Sequence, residues 1–315
     1  MQAEQTLAEY LIEWLSEEVE PTAALKTYIA YEGQVRNHII PALGHIKLTE
    51  LTHRDVQGML NGLTRVIGGR PLGEYSIHQT MRVLRGALEL AYVDGLVDRN
   101  VGRRTKTPPL PNPDVKTWTP AEARTFLDYV EHHRLYALYA VTLSTALPQA
   151  EAMGLRWRDV DLDEATLTRR QQLQYGRLVI LKPRRGRGKT VAIPQFTVEA
   201  LRAHRERQLA EESTGDMELV FTDWNGRPLT DRALRTMFNR HTAEAGLPRI
   251  KWHAMRHFVA TFYANETTVP VFVAARLVGH SPKMLEQYSH TTRAHEREAV
   301  ELMSDVLRPV ALAGG

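Results

Sequence analysis

Four prolines fall within six residues at Pro108-Pro109-Leu110-Pro111-Asn112-Pro113. No helix or central strand runs through such a segment, because each proline lacks an amide hydrogen and fixes its own φ. Residues 106–116 therefore read as an extended, semi-rigid linker. It divides the 315-residue chain into residues 1–105 and 117–308, with 309–315 as a loose tail, and each part is long enough to bury its own core. The composition, 43% hydrophobic and 24% charged, is that of an ordinary globular protein. There is no cysteine, which removes disulfides, cysteine–zinc sites, iron–sulfur clusters and thiol catalysis together. No apolar run approaches the roughly 20 residues that span a bilayer. The first 20 residues are rich in Glu and lack the basic start of a secretory signal. A cytoplasmic location, without membrane partners, is the expectation. The net charge is only +3, but 32 of the 40 basic residues are Arg, whose planar fork matches phosphate oxygens.

Hydrophobic periodicity makes residues 1–105 helical. Leu7, Leu11, Trp14 and Leu15 recur at helical spacing, and Thr52 can cap a helix with Val56, Met59, Leu60 and Leu63 on one face. A longer helix is expected from about Ser76 to Tyr92. Its polar face carries His78, Gln79, Arg82 and Arg85, read either as solvated surface or as DNA contacts. After the linker, Thr119-Pro120-Ala121-Glu122 is a capping box with Pro at the first helical position. Helices are expected through Phe126–Val130, Leu135–Leu147, and from Thr197, Thr230, His253 and Val269-Pro270, the last ending at Gly279. Ser281-Pro282 opens a further helix containing Tyr288, and 292–307 is amphipathic. Thr166–Leu173, Leu178–Leu181 and Thr190–Ile193 read as short strands. The fold class is thus mainly α with a small antiparallel β-sheet.

Several residues can carry chemistry. Lys182-Pro-Arg184-Arg185-Gly-Arg187-Gly-Lys189 places five positive charges in eight residues, at an expected hairpin tip. Charges this dense repel unless an anion sits among them, and a solvated loop is the alternative. Gly188-Lys189-Thr190 is not a P-loop, because Pro183 stands where that motif needs glycine and a strand follows. His253, Arg256 and His257 are spaced i, i+3, i+4 and share one helix face. A zinc-hydrolase reading fails, since Ala254 stands where the motif needs Glu, so no metal site is expected. His and Arg at a helix start suit an anion. With Lys182, His280 and Tyr288 they make a set able to act on a phosphodiester. Arg and His neutralise the pentavalent phosphorus, Lys protonates the leaving oxygen, and Tyr attacks and holds the phosphate.

This pattern resembles the tyrosine recombinases, the phage-integrase family. The likeness is carried by His253-x-x-Arg256-His257, Leu277-Val-Gly-His280-Ser, Tyr288-Ser-His290, Lys182 and the stretch Leu155–Asp163. Thr6–Tyr10 and Asn37–Leu48 are similar to the family's helical core-binding domain. The resemblance covers roughly residues 5–305. It implies a SAM-like helical domain and a mixed α/β catalytic domain forming a C-shaped clamp on duplex DNA. It also implies a metal- and cofactor-free reaction through 3′-phosphotyrosyl intermediates at Tyr288, with strand exchange in a tetramer and accessory DNA-bending proteins as further partners. The source would be bacterial or phage-encoded and the location nucleoid-associated, with the arm-site domain of many phage integrases absent. Catalytic roles pass to Tyr288, Arg256, His253, Lys182 and His280, with Glu151 and His257 in support. DNA contacts pass to Arg184, Arg185, Arg187 and Lys189.

Two departures stand out. The family's first motif, Thr-Gly-Leu-Arg-x-Gly-Glu, is matched by Thr145-Ala-Leu-Pro148-Gln-Ala-Glu151, so Pro148 takes the arginine position. Arg156 and Arg158 are nearby in sequence but are common surface positions in this stretch of the family. His280 and Tyr288 are eight residues apart, one fewer than usual. Two functions follow, a site-specific recombinase weakened at one residue, or a DNA-binding protein that no longer cuts and serves as a regulator or accessory subunit.

Overall fold

The computed structural model describes residues 5–64, 71–111, 116–181, 190–211, 218–265, 269–279 and 281–285. The chain divides into two compact units, Met1–Pro113 and Asp114–Gly315. Among the described residues no helix is long and apolar enough to cross a membrane.

The first unit is helical. Helix α1 (Leu7–Trp14) opens on a capping box. Glu9 N–H donates to the Thr6 hydroxyl, and the Glu9 carboxylate accepts from Thr6 N–H at 2.8 Å. Its buried face is Leu7, Tyr10, Leu11 and Trp14. The helix widens into a π-turn at Leu15–Val19 before α2 (Glu20–Thr22). The same sequence of events recurs where α3 (Leu25–Gln34) passes through a π-turn at Val35–Ile39 into α4 (Ile40–Leu43). Pro21 and Pro41 stand at the second residue of α2 and α4. A proline cannot donate to the preceding turn and its ring crowds the carbonyl four residues back, and a wider turn absorbs both defects without ending the helix. Helix α5 (His53–Thr64) is capped by Thr52, whose hydroxyl accepts from Asp55 N–H. Helix α6 (Glu74–Val93) begins two residues before the expected start and buries Ile77, Met81, Leu84, Leu88 and Ala91.

The second unit begins with α7 (Pro120–Tyr129), which carries the expected capping box between Thr119 and Glu122. Helix α8 (Tyr136–Thr145) is buried on nearly every side, the mark of a helix at the centre of a core. It ends at Ala146, which takes the left-handed conformation with φ 56°. Helix α9 (Gln149–Met153) follows. Strand β1 (Val160–Asp161) pairs with β2 (Thr166–Thr168), and β2 with β5 (Thr190–Ala192), all antiparallel. Strands β3 (Gln171–Gln174) and β4 (Arg177–Ile180) form a second, two-stranded sheet. The expected single strand Thr166–Leu173 is therefore two strands, broken at Arg169-Arg170 where the chain leaves one sheet for the other. Helices α10 (Gln195–Ala210), α11 (Asp231–Glu244), α12 (Trp252–Asn265), α13 (Val271–Val278) and α14 (Pro282–Leu285) complete the described chain. Gly279 ends α13 in the left-handed conformation, φ 67°, as expected of a glycine stop.

The core of this unit is aromatic. Phe126 packs on Tyr139 and Phe238 with ring centroids 5.0 and 5.6 Å apart, and Phe238 on Trp252 at 5.3 Å. His241 is buried beside them, with Nδ1 3.1 Å from the Tyr139 hydroxyl. Desolvation first, then the neighbouring His133 and Arg240, push its pKa down from 6.5 to about 4. The folded ring thus refuses a proton that the unfolded chain accepts. Stability is expected to be level above about pH 6.5 and to fall as the pH drops through 4, by up to about 3 kcal/mol. Urea denaturation across this range checks it, and His241→Asn should flatten the slope.

Candidate active site

Trp252 anchors the first turn of α12 in the aromatic core, packing on Tyr139 as well as Phe238. That fixes the rotation of the helix. His253 faces solvent, Arg256 points inward and His257 is half-buried. The two imidazoles meet edge to face with centroids 4.7 Å apart. Desolvation, then the Arg256 charge, hold His253 below the ordinary imidazole range, and desolvation, then His253 and Arg256, do the same for His257. Both rings are therefore biased towards the neutral form near pH 7.

Arg256 is only 8% exposed. Its Nη1 donates to the Ala146 carbonyl at 2.5 Å, tying α12 to the left-handed turn after α8. Val259, Ala260, Ala274, Ala275, Val278 and Ala146 form a small apolar cluster behind this contact. The cluster packs the turn after α8 against α12 and α13. Two residues after Ala146, Pro148 is the N-cap of α9 with φ −57°. Its missing amide is no loss there, since its carbonyl is what the helix uses, accepting from Glu151 and Ala152 N–H at 2.9 Å each. Glu151 is buried. Helix α9 is pressed on strand β3 at Gly154. A Cβ there would lie 2.8 Å from Gln172 Cα and 2.9 Å from Leu173 N.

One charged residue at this place was not expected from the sequence. Arg169, at the break between β2 and β3, is 5% exposed, and its Nη1 lies 3.9 Å from Glu151 Oε2. The sequence offered only an Arg-Arg pair in the mostly polar stretch Thr166–Leu173, which ordinarily means solvent. Arg156 and Arg158 are engaged elsewhere, with Asp159 at 2.6 Å and Glu218 at 3.0 Å.

Lys182, Arg184, Arg185, Arg187, Lys189, His280 and Tyr288 lie outside the described residues. The strands around the basic segment do correct its expected setting. Among the described residues, the strands that precede and follow it, β4 and β5, pair with β3 and β2 and not with each other. The described tip is Tyr175-Gly176, with φ 49° and 74°, as a two-residue turn of the hairpin type requires. Strand β4 pairs back with β3, and β5 pairs with β2, so 182–189 joins two different sheets.

In the first unit, the polar face of α6 is split. The Arg85 guanidinium donates to the carbonyls of Gly102 (2.9 Å) and Thr105 (2.6 Å), and His78 Nε2 is 2.6 Å from the Pro108 carbonyl. Those two side chains hold the segment that leaves the unit. Gln79 and Arg82 are exposed.

Sequence comparisons agree with this architecture. The profile of the phage integrase family matches residues 116–295, and that of the phage integrase N-terminal SAM-like domain matches residues 6–64. The chain is 26% identical to a XerC-like tyrosine recombinase of Caldanaerobacter subterraneus subsp. tengcongensis, over 96% of this chain and 83% of that protein. It is 28% identical to the integrase of Mycobacterium phage L5, over 96% of this chain and 80% of the relative. Its fold is similar to that of the Tn1549 transposon integrase, solved with a circular intermediate DNA, with a TM-score of 0.79 at 19% identity over 95% of this chain and 99% of that one. The lambda integrase dimer bound to a core site gives a TM-score of 0.65 at 19% identity, over 90% and 77%. The chain belongs to the phage integrase family of tyrosine recombinases.

Proposed function

We propose that this protein cuts and rejoins duplex DNA at specific sites through a covalent intermediate on Tyr288. The phenol oxygen attacks the scissile phosphorus, a 3′-phosphotyrosyl bond forms, and the bond to the 5′ oxygen breaks. Lys182 gives that leaving oxygen its proton. Arg256 and His253 hold the charge of the pentavalent phosphate, with His280 beside them and Glu151 and His257 supporting. A 5′ hydroxyl of a second duplex then attacks the phosphotyrosyl bond and reverses the steps. No metal or cofactor enters this reaction.

One observation carries the reading. Arg256 is fixed from behind by the Ala146 carbonyl, beside an exposed His253 on the same helix turn. A guanidinium held in this way needs no reorganisation as charge develops on a phosphate, which is the condition for strong electrostatic catalysis. The remaining partners follow the relatives. Lambda integrase has been solved as a tetramer on a Holliday junction, and a tetramer on DNA, assisted by DNA-bending proteins, is the proposal here. Of the four polar side chains named on α6, the exposed Gln79 and Arg82 are the ones proposed to meet DNA. Pro148 favours a second reading, in which the protein binds DNA without cutting, as a regulator or accessory subunit.

A covalent trap separates the two. A tight-binding duplex is selected from a random pool, nicked at each position in separate substrates, and assayed for an SDS-resistant adduct without added metal. An adduct supports the recombinase. Tight binding with none supports the second reading. Under both, Ala replacement of Arg184, Arg185 and Arg187 together should weaken binding and make the plot of log affinity against log salt shallower by up to about 3, since each phosphate contact contributes about 0.9. An unchanged slope would mean the segment is only solvated.

A further inference from the structure

Arg169 and Arg256 are the two arginines buried in the second unit among the described residues. Arg256 already has a role in the proposed chemistry. Arg169 has none there, although it is buried on the same side as Glu151.

Its position follows from the break between the two sheets. Arg170 turns outward and pairs with Asp159 at 3.1 Å, and strand alternation sends Arg169 the other way. The side chain reaches two segments. On one side is α9, where Glu151 Oε2 is 3.9 Å from Nη1, an ion-pair distance rather than a hydrogen bond. On the other is the end of α13. A Cβ on Gly279 would lie 2.8 Å from Arg169 Nη1 and 3.1 Å from Nη2, so the guanidinium lies directly against that glycine's backbone. Arg256 reaches the Ala146 carbonyl, two residues before Pro148. Arg169 reaches Glu151, three residues after it. The two buried forks thus contact residues on either side, in sequence, of the position where the pattern calls for an arginine and has a proline. Burial lowers the Arg169 pKa and Glu151 opposes the shift, but an arginine keeps its charge under such conditions.

We propose that Arg169 supplies the phosphate-neutralising guanidinium that position 148 lacks, entering the site from the break between β2 and β3 instead of from α9. This rests on the recombinase reading and explains how the site works with Pro148 in place.

The test compares two nicked duplexes, one with the natural phosphodiester at the cleavage position and one with a methylphosphonate, which carries no negative charge. Adduct formation is followed in a single turnover, with DNA affinity and thermal midpoint measured on the same samples. Arg169→Gln should slow the reaction by about 10²–10³-fold on the phosphodiester, leave affinity within a few-fold, and lose less than tenfold on the methylphosphonate. Adding Pro148→Arg to Arg169→Gln should restore much of the phosphodiester rate. An equal defect on both substrates would mean that Arg169 only shapes the site through Glu151, and a normal rate would mean it does nothing there. Either result overturns the proposal. If Arg169→Gln does not fold, Arg169→Met, uncharged and of similar length, carries the same comparison, and equal defects overturn it there too. An unmodified protein that forms adduct while Arg169→Gln is unaffected defeats this proposal alone. An unmodified protein that forms none on any nicked duplex defeats the recombinase reading, and this proposal with it.

Discussion

Tyr288→Phe is expected to bind the selected duplex as tightly as the unmodified protein and to form no covalent adduct at all. The two side chains share a ring and differ by one oxygen. Affinity for DNA comes mainly from phosphate contacts made by basic groups elsewhere, and that oxygen contributes little to it. The covalent step has no substitute for it, because the phenol oxygen is the atom that becomes bonded to phosphorus. The loss is therefore complete and confined to chemistry. Denaturing gels of nicked-substrate reactions, run beside an equilibrium binding measurement, separate the two. An adduct that persists would remove Tyr288 from its role and would turn attention to the short His280–Tyr288 interval.

The second large effect is at Arg256. Replacement by Ala should lower the rate of adduct formation by about 10³–10⁵-fold, the range found when a transition-state arginine is lost. Part of any change could come from the fold, since the Arg256 guanidinium also holds the Ala146 carbonyl. A buried carbonyl left without its donor costs about 1–3 kcal/mol, which a thermal melt will register. Arg256→Lys distinguishes the contributions. It keeps the positive charge but not the planar fork, so it should melt close to the unmodified protein while remaining well below it in rate. A Lys variant that cleaves normally would mean that the charge alone matters.

Much of the fold was legible in the chain itself. The capping box at Thr119, the cap at Thr52 and the glycine stop at 279 are local rules, in which the residues that decide the structure are neighbours in sequence. Together with the hydrophobic periodicity and the short β-prone stretches they carried the fold class. The division of the strands did not. Thr166–Leu173 has the composition of one strand, and only the competing partners β5 and β4, both later in the chain, break it at Arg169-Arg170. The π-turns were missed for a similar reason, because Pro21 and Pro41 signal helix ends when read alone. In the site, the helical spacing of His253, Arg256 and His257 correctly placed them along one helix, but spacing does not say which of them is buried; Trp252 and the aromatic core decide that. On α6, the polar face did not reveal that His78 and Arg85 grip their own chain, since a carbonyl from a returning segment and a water molecule satisfy a side chain equally well. Arg169 was hidden because its burial depends on Glu151 and Gly279, distant in sequence and assembled only by the fold.

The seam at Gly154 limits which versions of this protein can exist. Helix α9 rests there on the backbone of β3, with main-chain atoms that have no rotamer to retreat into. Any side chain at 154 would lift the helix and draw Glu151 away from Arg169. The other end of the same helix has no such restriction, since an N-cap tolerates proline. Residue 148 can therefore be exchanged while the scaffold stays in register, whereas a Cβ at 154 forces the main chains of α9 and β3 apart.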